Sequence, residues 1–258
     1  MLIKKLEEKN YSDSEWLLKE MLLNIGNPNS YIRDKLIYNA FIEIIAKNYL
    51  TNDQLKNLFN QLLSNQYLLY KIGSQNSDSV YKRSFSTLVL GVLINKDKEQ
   101  PFLEKNQVSI LLDATCFYLV SEQDRRGFTE DKGWAHSIAH CADLVDEIIT
   151  HPLFEQSMYE KVVEALVFCV NSTFIYEDDE IERLSTPSAA LINRYGISQE
   201  FIYRIESLIN YFLSKKICSH LDTRVISNVR NYLRAMYFKV NLEEHKQLLV
   251  GYLKQIRT

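Results

Sequence analysis

Residues 125–143 have the sequence RRGFTEDKGWAHSIAHCAD, which we interpret as a loop that leads into a helix. The stretch contains one of the 2 tryptophans and two of the 5 histidines of the chain. The rest of the sequence has the spacing of apolar residues that is typical of amphipathic helices, and no window of alternating hydrophobicity predicts a strand. The pattern therefore predicts an all-α protein.

The composition agrees with this fold class. Only 7 Gly and 4 Pro occur in 258 residues, which argues against a sandwich or barrel of many short strands and turns. The 46% of hydrophobic and 24% of charged residues are typical of a soluble globular protein that buries a large core. No linker or low-complexity segment divides the chain, so we expect one domain over residues 1–258.

Local signals predict where several helices begin and end. Ser12-x-x-Glu15 and Thr51-x-x-Gln54 are capping boxes, which satisfy the free amides of a first helical turn. Pro187 is expected to break the helix that contains it, because proline lacks the amide hydrogen that a helix interior uses. Further helices are predicted over residues 79–95, from Trp134 to about Thr150, and over residues 157–172, 178–194, 198–216, 221–239 and 242–256.

The order of these helices predicts an architecture. Helices of fifteen to twenty residues with short connections favour antiparallel neighbours. We therefore expect a right-handed α-α superhelix, a HEAT-like helical repeat of about a dozen helices. The repeat is structural, since the chain carries no repeated sequence signature. A compact bundle without a repeat is the alternative.

A row of polar residues marks the helix that is predicted after Trp134. His136, His140, Asp143 and Glu147 are spaced by four, three and four, which places them on one side of an otherwise apolar helix. The row could serve a site, or it could face solvent or a neighbouring helix with no further role.

Two chemistries fit this row. Two histidines at i and i+4 can bind one metal ion, with Asp143 as a third ligand or as the group that orients His140. Because Ser137 and not a glutamate follows His136, the zinc-protease motif is absent. Without a metal, His140 could act as a general base that Asp143 orients.

The loop before the row is basic. Arg125, Arg126 and Lys132 bring positive charge to a helix N-terminus, which attracts anions such as phosphate or carboxylate. The alternative is that the arginines pair with Glu122, Asp124 or Glu130 on the surface. The two glycines are interpreted as flexible hinges, and a core position is favoured for Trp134 over a groove position.

Charge and hydropathy exclude some classes of partner and site. A net charge of −3 does not provide the basic surface of a general nucleic-acid binder. No apolar run approaches the ~18 residues of a membrane span, and the N-terminus does not resemble a signal peptide, so a cytoplasmic location is expected. The widely spaced cysteines are expected to be buried and reduced. They are Cys116, Cys141, Cys169 and Cys218.

The central stretch resembles the hallmark of a bacterial family known only as a domain of unknown function, DUF2785. The shared pattern is Arg-Gly-x5-Gly-Trp-Ala-His-Ser-x-Ala-His-x-Ala-Asp, from Arg126 to Asp143. Further residues that resemble family positions are the acidic pair Glu122 and Asp124, the block Arg83, Ser84 and Phe85, and the weaker block Glu180 and Arg183. The resemblance covers roughly residues 50–240. It implies a helical, HEAT-like, cytoplasmic bacterial protein, and it implies no reaction or cofactor.

Three functions remain open from the sequence. The favoured one is a binding module whose polar groove holds a protein, a peptide or a small anionic molecule. The second is an enzyme, a metal-assisted or His-based hydrolase or transferase that acts on a small anionic substrate. The third is a purely structural role for the row. The predicted ligand-binding residues are Arg83, Arg126, Trp134, His136, His140 and Asp143.

Overall fold

The computed structural model describes residues 1–215 and 219–256, and in these ranges it confirms the all-α class. The exception is an antiparallel pair of two-residue strands, β1 (Phe128–Thr129) and β2 (Gly133–Trp134). A π-helical stretch (Tyr31–Tyr38) leads into α3, and a 3-10 turn (Gln156–Met158) leads into α8. The α-helices are α1 (Leu2–Glu7), α2 (Ser14–Asn24), α3 (Asn39–Ala46), α4 (Asn52–Leu63), α5 (Ser79–Glu99), α6 (Lys105–Ser121), α7 (Ser137–Ile149), α8 (Tyr159–Val170), α9 (Glu180–Tyr195), α10 (Gln199–Leu213), α11 (His220–Lys239) and α12 (Glu243–Gln255).

The predicted helix starts are correct in one case and displaced in another. Thr51 and Gln54 form the expected capping box at the start of α4. At α2 the capping residue is Asp13 instead of Ser12, because the Asp13 carboxylate accepts a hydrogen bond from the Trp16 amide at 3.3 Å. The sequence thus identified the helix start within one residue.

The predicted break at Pro187 is wrong, since α9 runs through this residue. The amide that Pro187 lacks would have bonded to the carbonyl of Arg183, and the neighbouring Glu182 O accepts hydrogen bonds from Ser185 Oγ and Lys239 Nζ, both at 2.6 Å. α9 also packs between α7 and α11. Burial against two neighbours outweighs the low helix propensity of one proline.

The helices pack in two layers. α3, α5, α7, α9 and α11 lie side by side in one layer, and α6, α8, α10 and α12 lie in the other. α5 and α7 run parallel, because Ser84 contacts His140 near their starts and Gly91 faces Glu147 further along. Alternation between two layers is typical of helical repeats. The right-handed HEAT-like form and the single domain over residues 1–258 stay predictions.

One buried apolar cluster extends from Leu6 to Ile256 and includes Cys116, Cys141 and Cys169. The burial of these three cysteines was expected, and Cys218 lies outside the described residues. Within the same described ranges, no helix combines the length and the apolar character that crossing a membrane requires.

The predicted helix start at Trp134 is wrong. Trp134 belongs to β2, and α7 begins only at Ser137. His136 lies between them in the left-handed conformation, with φ 44° and ψ 35°, and its amide donates to the carbonyl of Arg126 at 3.0 Å. These long-range hydrogen bonds hold the segment away from helical geometry. His136 therefore does not share a helical row with His140.

Candidate functional site

The hairpin of residues 126–136 is anchored by a buried arginine from the N-terminal part of the chain. Arg33 is fully buried, and its guanidinium lies over the rings of Tyr81 and Phe85 at 4.3 and 4.7 Å. Its Nη2 donates to the carbonyl of Lys132 at 2.8 Å. Burial lowers the pKa of Arg33, and the neighbouring carboxylate of Asp34 offsets part of this effect.

The two glycines of the hairpin are sites of close packing and not hinges. A Cβ at Gly127 would overlap the carboxylate of Asp178, which accepts a hydrogen bond from the amide of Phe128 at 2.8 Å. Gly133 has φ +72°, and a Cβ there would lie 2.8 Å from the Cβ of Ser30. Both positions therefore exclude a larger side chain.

Two ion pairs lie behind the hairpin. Arg83 is fully buried, with Nε and Nη2 bound to the Glu122 carboxylate and Nη1 bound to Ser79 Oγ at 3.0 Å. Burial lowers the pKa of Arg83, but the Glu122 carboxylate raises it, and the net shift is upward. Arg126 binds both oxygens of Asp124 at 2.7 Å. Both arginines are thus neutralised by carboxylates, and their placement does not support the predicted anion contacts.

His136 connects the hairpin to the loop before α9. Its Nε2 lies 2.6 Å from the carbonyl oxygen of Asp178, and since a carbonyl only accepts, Nε2 carries the proton. The ring stacks on Trp134 at 4.4 Å. Burial lowers the pKa of His136. Trp134 itself is 39% exposed, so the favoured core position for this residue is wrong.

In His140 the ring proton is on Nδ1, the opposite nitrogen from His136. Its Nδ1 lies 2.9 Å from Ser84 Oγ, and the same oxygen lies 2.5 Å from the carbonyl of Ala135. The single hydroxyl hydrogen of Ser84 is given to the carbonyl, so we infer that His140 Nδ1 carries a proton and donates to Ser84. Burial lowers the pKa of His140 well below its ordinary value, and the positive charge of Arg183 adds to this. The ring is therefore neutral, and Nε2 is an unprotonated acceptor.

A groove with a volume of about 520 Å³ lies across the surface of α3, α5, α7 and α9. Its lining includes the ring of His140, which is 7% exposed. The Nε2 of His140 makes no hydrogen bond to a residue in the described part of the chain. Apolar lining comes from Ile42, Leu88 and Val92, beside Tyr38.

The α7 edge of the groove is acidic. Asp143 pairs with Arg183, and Glu147 pairs with Lys98 at 2.6 Å. Asp146 makes no hydrogen bond or ion pair through its side chain with a described residue. Burial first, and then the neighbouring charge of Glu147, raise the pKa of Asp146.

The metal or acid–base arrangement that the spacing allowed is not assembled. His136 Nε2 is directed to Asp178 O, and Asp143 binds Arg183 instead of orienting His140, which Ser84 holds. Across residues 1–215 and 219–256, no group of three or more His, Cys, Asp or Glu side chains could hold a metal ion. Of the six predicted residues, His140 and Asp143 line the groove. The other four lie outside its lining, and they are Arg83, Arg126, Trp134 and His136.

Two buried charges near the hairpin and the groove were missed from the sequence. Arg33 has the helical spacing of Ile37 and Ala40, and Lys96 has that of Leu93 and Val89. A charged residue on the apolar face of a predicted helix is the signal that would have found both.

The comparisons with known proteins place the chain in one family. The family model described as Protein of unknown function (DUF2785) matches residues 68–238, which is more than half of the chain. No curated protein and no solved structure matches it. The matched range includes the hairpin, α5, α7 and α9, whereas Arg33 and Tyr38 precede it. The chain therefore belongs to the family described as Protein of unknown function (DUF2785).

Proposed function

We propose that the protein is a helical binding module whose ligand occupies the groove across α3, α5, α7 and α9. The observation that carries this proposal is the unprotonated Nε2 of His140, which has no partner although the side chain is 7% exposed. This nitrogen is accessible from the groove, and the contact of Nδ1 with Ser84 fixes the ring, so Nε2 is a positioned hydrogen-bond acceptor. An N–H or O–H group of a ligand would supply the partner.

The predicted site residues divide into two roles under this proposal. His140 and Asp143 contact the ligand, and Arg183 holds the Asp143 carboxylate in position. The remaining predicted residues fix the hairpin behind His140 and do not touch the ligand. They are Arg83, Arg126, Trp134 and His136.

The dimensions of the groove favour a small ligand. A volume of about 520 Å³ is in the usual range for small-molecule sites, which is about 300–1,000 Å³. A small molecule or a short peptide segment fits this space. The two-layer packing supports the HEAT-like superhelix, a class of fold that presents extended concave binding surfaces.

An enzyme is the second candidate, because the same Nε2 could accept a proton from a substrate. A general base works best when its pKa is near the working pH. Burial lowers the pKa of His140 well below its ordinary value, which makes it a weak base. We therefore favour binding over a His-based or metal-assisted hydrolase or transferase.

Two substitutions at His140 test the proposal. In His140→Asn the amide can still donate to Ser84 but cannot reach the position of Nε2. In His140→Gln the amide can occupy the Nε2 position. Thermal melting in the presence of a library of metabolites and short peptides is expected to identify compounds that raise the Tm of the wild type and not that of His140→Asn.

The result against the proposal is equally clear. It fails if no compound stabilises the wild type, or if His140→Asn responds like the wild type to every compound. Consumption of a stabilising compound, followed by mass spectrometry, would favour the enzyme instead.

A further inference from the structure

The α7 edge of the groove carries a negative charge that its ion pairs do not fully balance. Asp143, Asp146 and Glu147 lie within about one turn of one another, and all of them line the groove. Arg183 pairs with Asp143, and Lys98 pairs with Glu147 at 2.6 Å. Asp146 has no side-chain partner among the residues that the structure describes. Three carboxylates and two cations therefore leave one negative charge on this edge.

The Nε2 of His140 lies about one turn from Asp143 and independently points to a ligand. His140 is 7% exposed, it lines the groove, and the contact of Nδ1 with Ser84 fixes the orientation of the ring. Nε2 therefore presents one acceptor to the groove, and a ligand must bring an N–H or O–H group to use it. Burial holds the pKa of His140 well below its ordinary value, so the ring is neutral and does not repel a cation.

Both features select the same chemical group. The Cβ atoms of His140 and Asp143 are about 5–6 Å apart, as is usual for residues at i and i+3 of a helix, so one small group can reach both side chains. A protonated amine can donate to Nε2 and to an Asp143 oxygen at once, and its charge offsets that of Asp146. A hydroxyl group would bring the hydrogen but not the charge. A carboxylate would be repelled by the acidic edge and has no hydrogen to donate.

The rest of the groove suits the hydrocarbon part of such a ligand. Ile42, Leu88 and Val92 contribute apolar lining, against which an alkyl chain would bury its surface. Lys96 and Glu99 also line the groove and lie about one turn apart on α5, and their opposite charges add no net charge to it. The unbalanced charge is therefore confined to the α7 edge.

We propose that the groove binds a primary alkylamine, with its ammonium at His140 and Asp143 and its hydrocarbon chain against the apolar lining. This inference rests on the proposed binding function and names the ligand class of the same site. Asp146 contributes through its charge, and His140 contributes through its free acceptor.

Titrations with n-hexylamine, n-hexanol and n-hexanoate, followed by NMR at pH 7, test the charge of the ligand. The three probes share one hydrocarbon chain and differ in the head group. The wild type is expected to bind hexylamine about tenfold or more tightly than hexanol, since the ammonium adds a charge-assisted contact. Hexanoate is expected to bind more weakly than hexanol, because the acidic edge repels it.

Three variants locate the effect in the groove. Asp146→Asn removes the unbalanced charge and keeps both ion pairs of the edge, so the preference for hexylamine over hexanol is expected to fall about threefold or more. Asp113→Asn removes an exposed carboxylate outside the groove and is the matched control, which should keep the wild-type preference. His140→Asn is expected to weaken the binding of both hexylamine and hexanol, because neither then has the acceptor at the position of Nε2.

The outcomes separate the inference from the function on which it rests. Equal binding of hexylamine and hexanol to the wild type overturns the inference, and so does the absence of hexylamine binding. A preference of the same size in Asp146→Asn and Asp113→Asn overturns it as well. In each case the proposed function stands if a library compound stabilises the wild type and not His140→Asn. If no library compound does so, both fail.

Discussion

The hairpin network and the groove lie on two sides of His140, and they differ in whether their charged side chains have partners. In the hairpin network, each charged or titratable side chain is paired or hydrogen-bonded; its members are Arg33, Arg83, Glu122, Asp124, Arg126 and His136. In the groove, several polar side chains have no partner among the described residues. They include Lys96 and Asp146, and the Nε2 of His140.

This difference indicates which residues contribute to stability and which are available for function. A buried charge with a fitted partner holds two segments in one arrangement, and removing one partner is costly. A partly buried charge without a partner lowers stability, and proteins commonly retain such groups where function requires them. His140 belongs to both regions, since Nδ1 binds Ser84 and Nε2 faces the groove.

Breaking the hairpin network should have the largest effect. Arg83→Met leaves the Glu122 carboxylate buried without its counter-charge, and the free energy of unfolding is expected to fall by about 3–5 kcal/mol. Equilibrium denaturation in urea measures this change. The double variant Arg83→Met/Glu122→Leu should recover most of the loss, because no charge then stays unpaired. A loss below about 1 kcal/mol in the single variant would contradict the role of the pair.

Loss of the contacts between Arg33 and the hairpin should have the second largest effect on stability. Arg33→Met removes hydrogen bonds to the carbonyls of Asn27 and Lys132, and the expected loss is about 2–3 kcal/mol. Amide hydrogen exchange should become faster in residues 127–136. Arg234→Met, on an exposed part of α11, is the control and should change stability by less than about 0.5 kcal/mol. Unchanged exchange in the hairpin would show that Arg33 does not anchor it.

The two histidines should make stability depend on pH. Burial lowers the pKa of both His136 and His140, so the unfolded chain binds protons that the folded chain does not. Their contribution is complete above about pH 6.5 and is lost as the pH falls toward the folded pKa values, by up to about 1.4 kcal/mol per pH unit for each histidine.

Comparison with His140→Asn isolates the part due to His140. The difference between the two proteins cancels the contribution of groove carboxylates such as Asp146, whose raised pKa acts in the opposite direction. The variant should show a shallower loss of stability below pH 6.5 in denaturant titrations. Identical slopes would mean that His140 is not kept neutral by the fold.

The smallest of these changes in stability should be a gain instead of a loss. Asp146→Asn removes a partly buried carboxylate whose pKa is raised by burial and by Glu147, so the variant should be more stable at pH 7, by about 0.5 kcal/mol after allowance for solvent screening. The gain should disappear as the pH falls through the pKa of Asp146. Asp113→Asn, an exposed residue that pairs with Lys161, serves as the control and should bring no gain. A loss of stability in Asp146→Asn would contradict the contrast between the two regions.

The sequence predicted the parts of the fold that depend on local pattern. The helices found as α5, α9 and α11 follow from apolar spacing, and α4 follows from its capping box. The hairpin could not be found in this way, because its strands have two residues each and depend on distant partners such as Arg33 and Asp178.

The site was predicted in part for the same reason. The spacing identified His140 and Asp143, and the resemblance to family blocks identified Arg83 and Arg183, which lie close to the hairpin or the groove. Spacing did not show that His136 leaves the helix, since its left-handed conformation results from long-range hydrogen bonds. It also did not show that Lys96 faces the groove, because that depends on which helices pack beside α5.

The protonation state of the His140 ring tests the central claim most directly. Long-range nitrogen–proton NMR correlations of the histidine rings at pH 7 distinguish the two neutral tautomers and the charged form. The account predicts a neutral ring with the proton on Nδ1 and a bare Nε2, opposite to His136, whose proton is on Nε2. A proton on Nε2 of His140, or a charged ring, would contradict it, because the groove would then lack the free acceptor on which the proposed function rests.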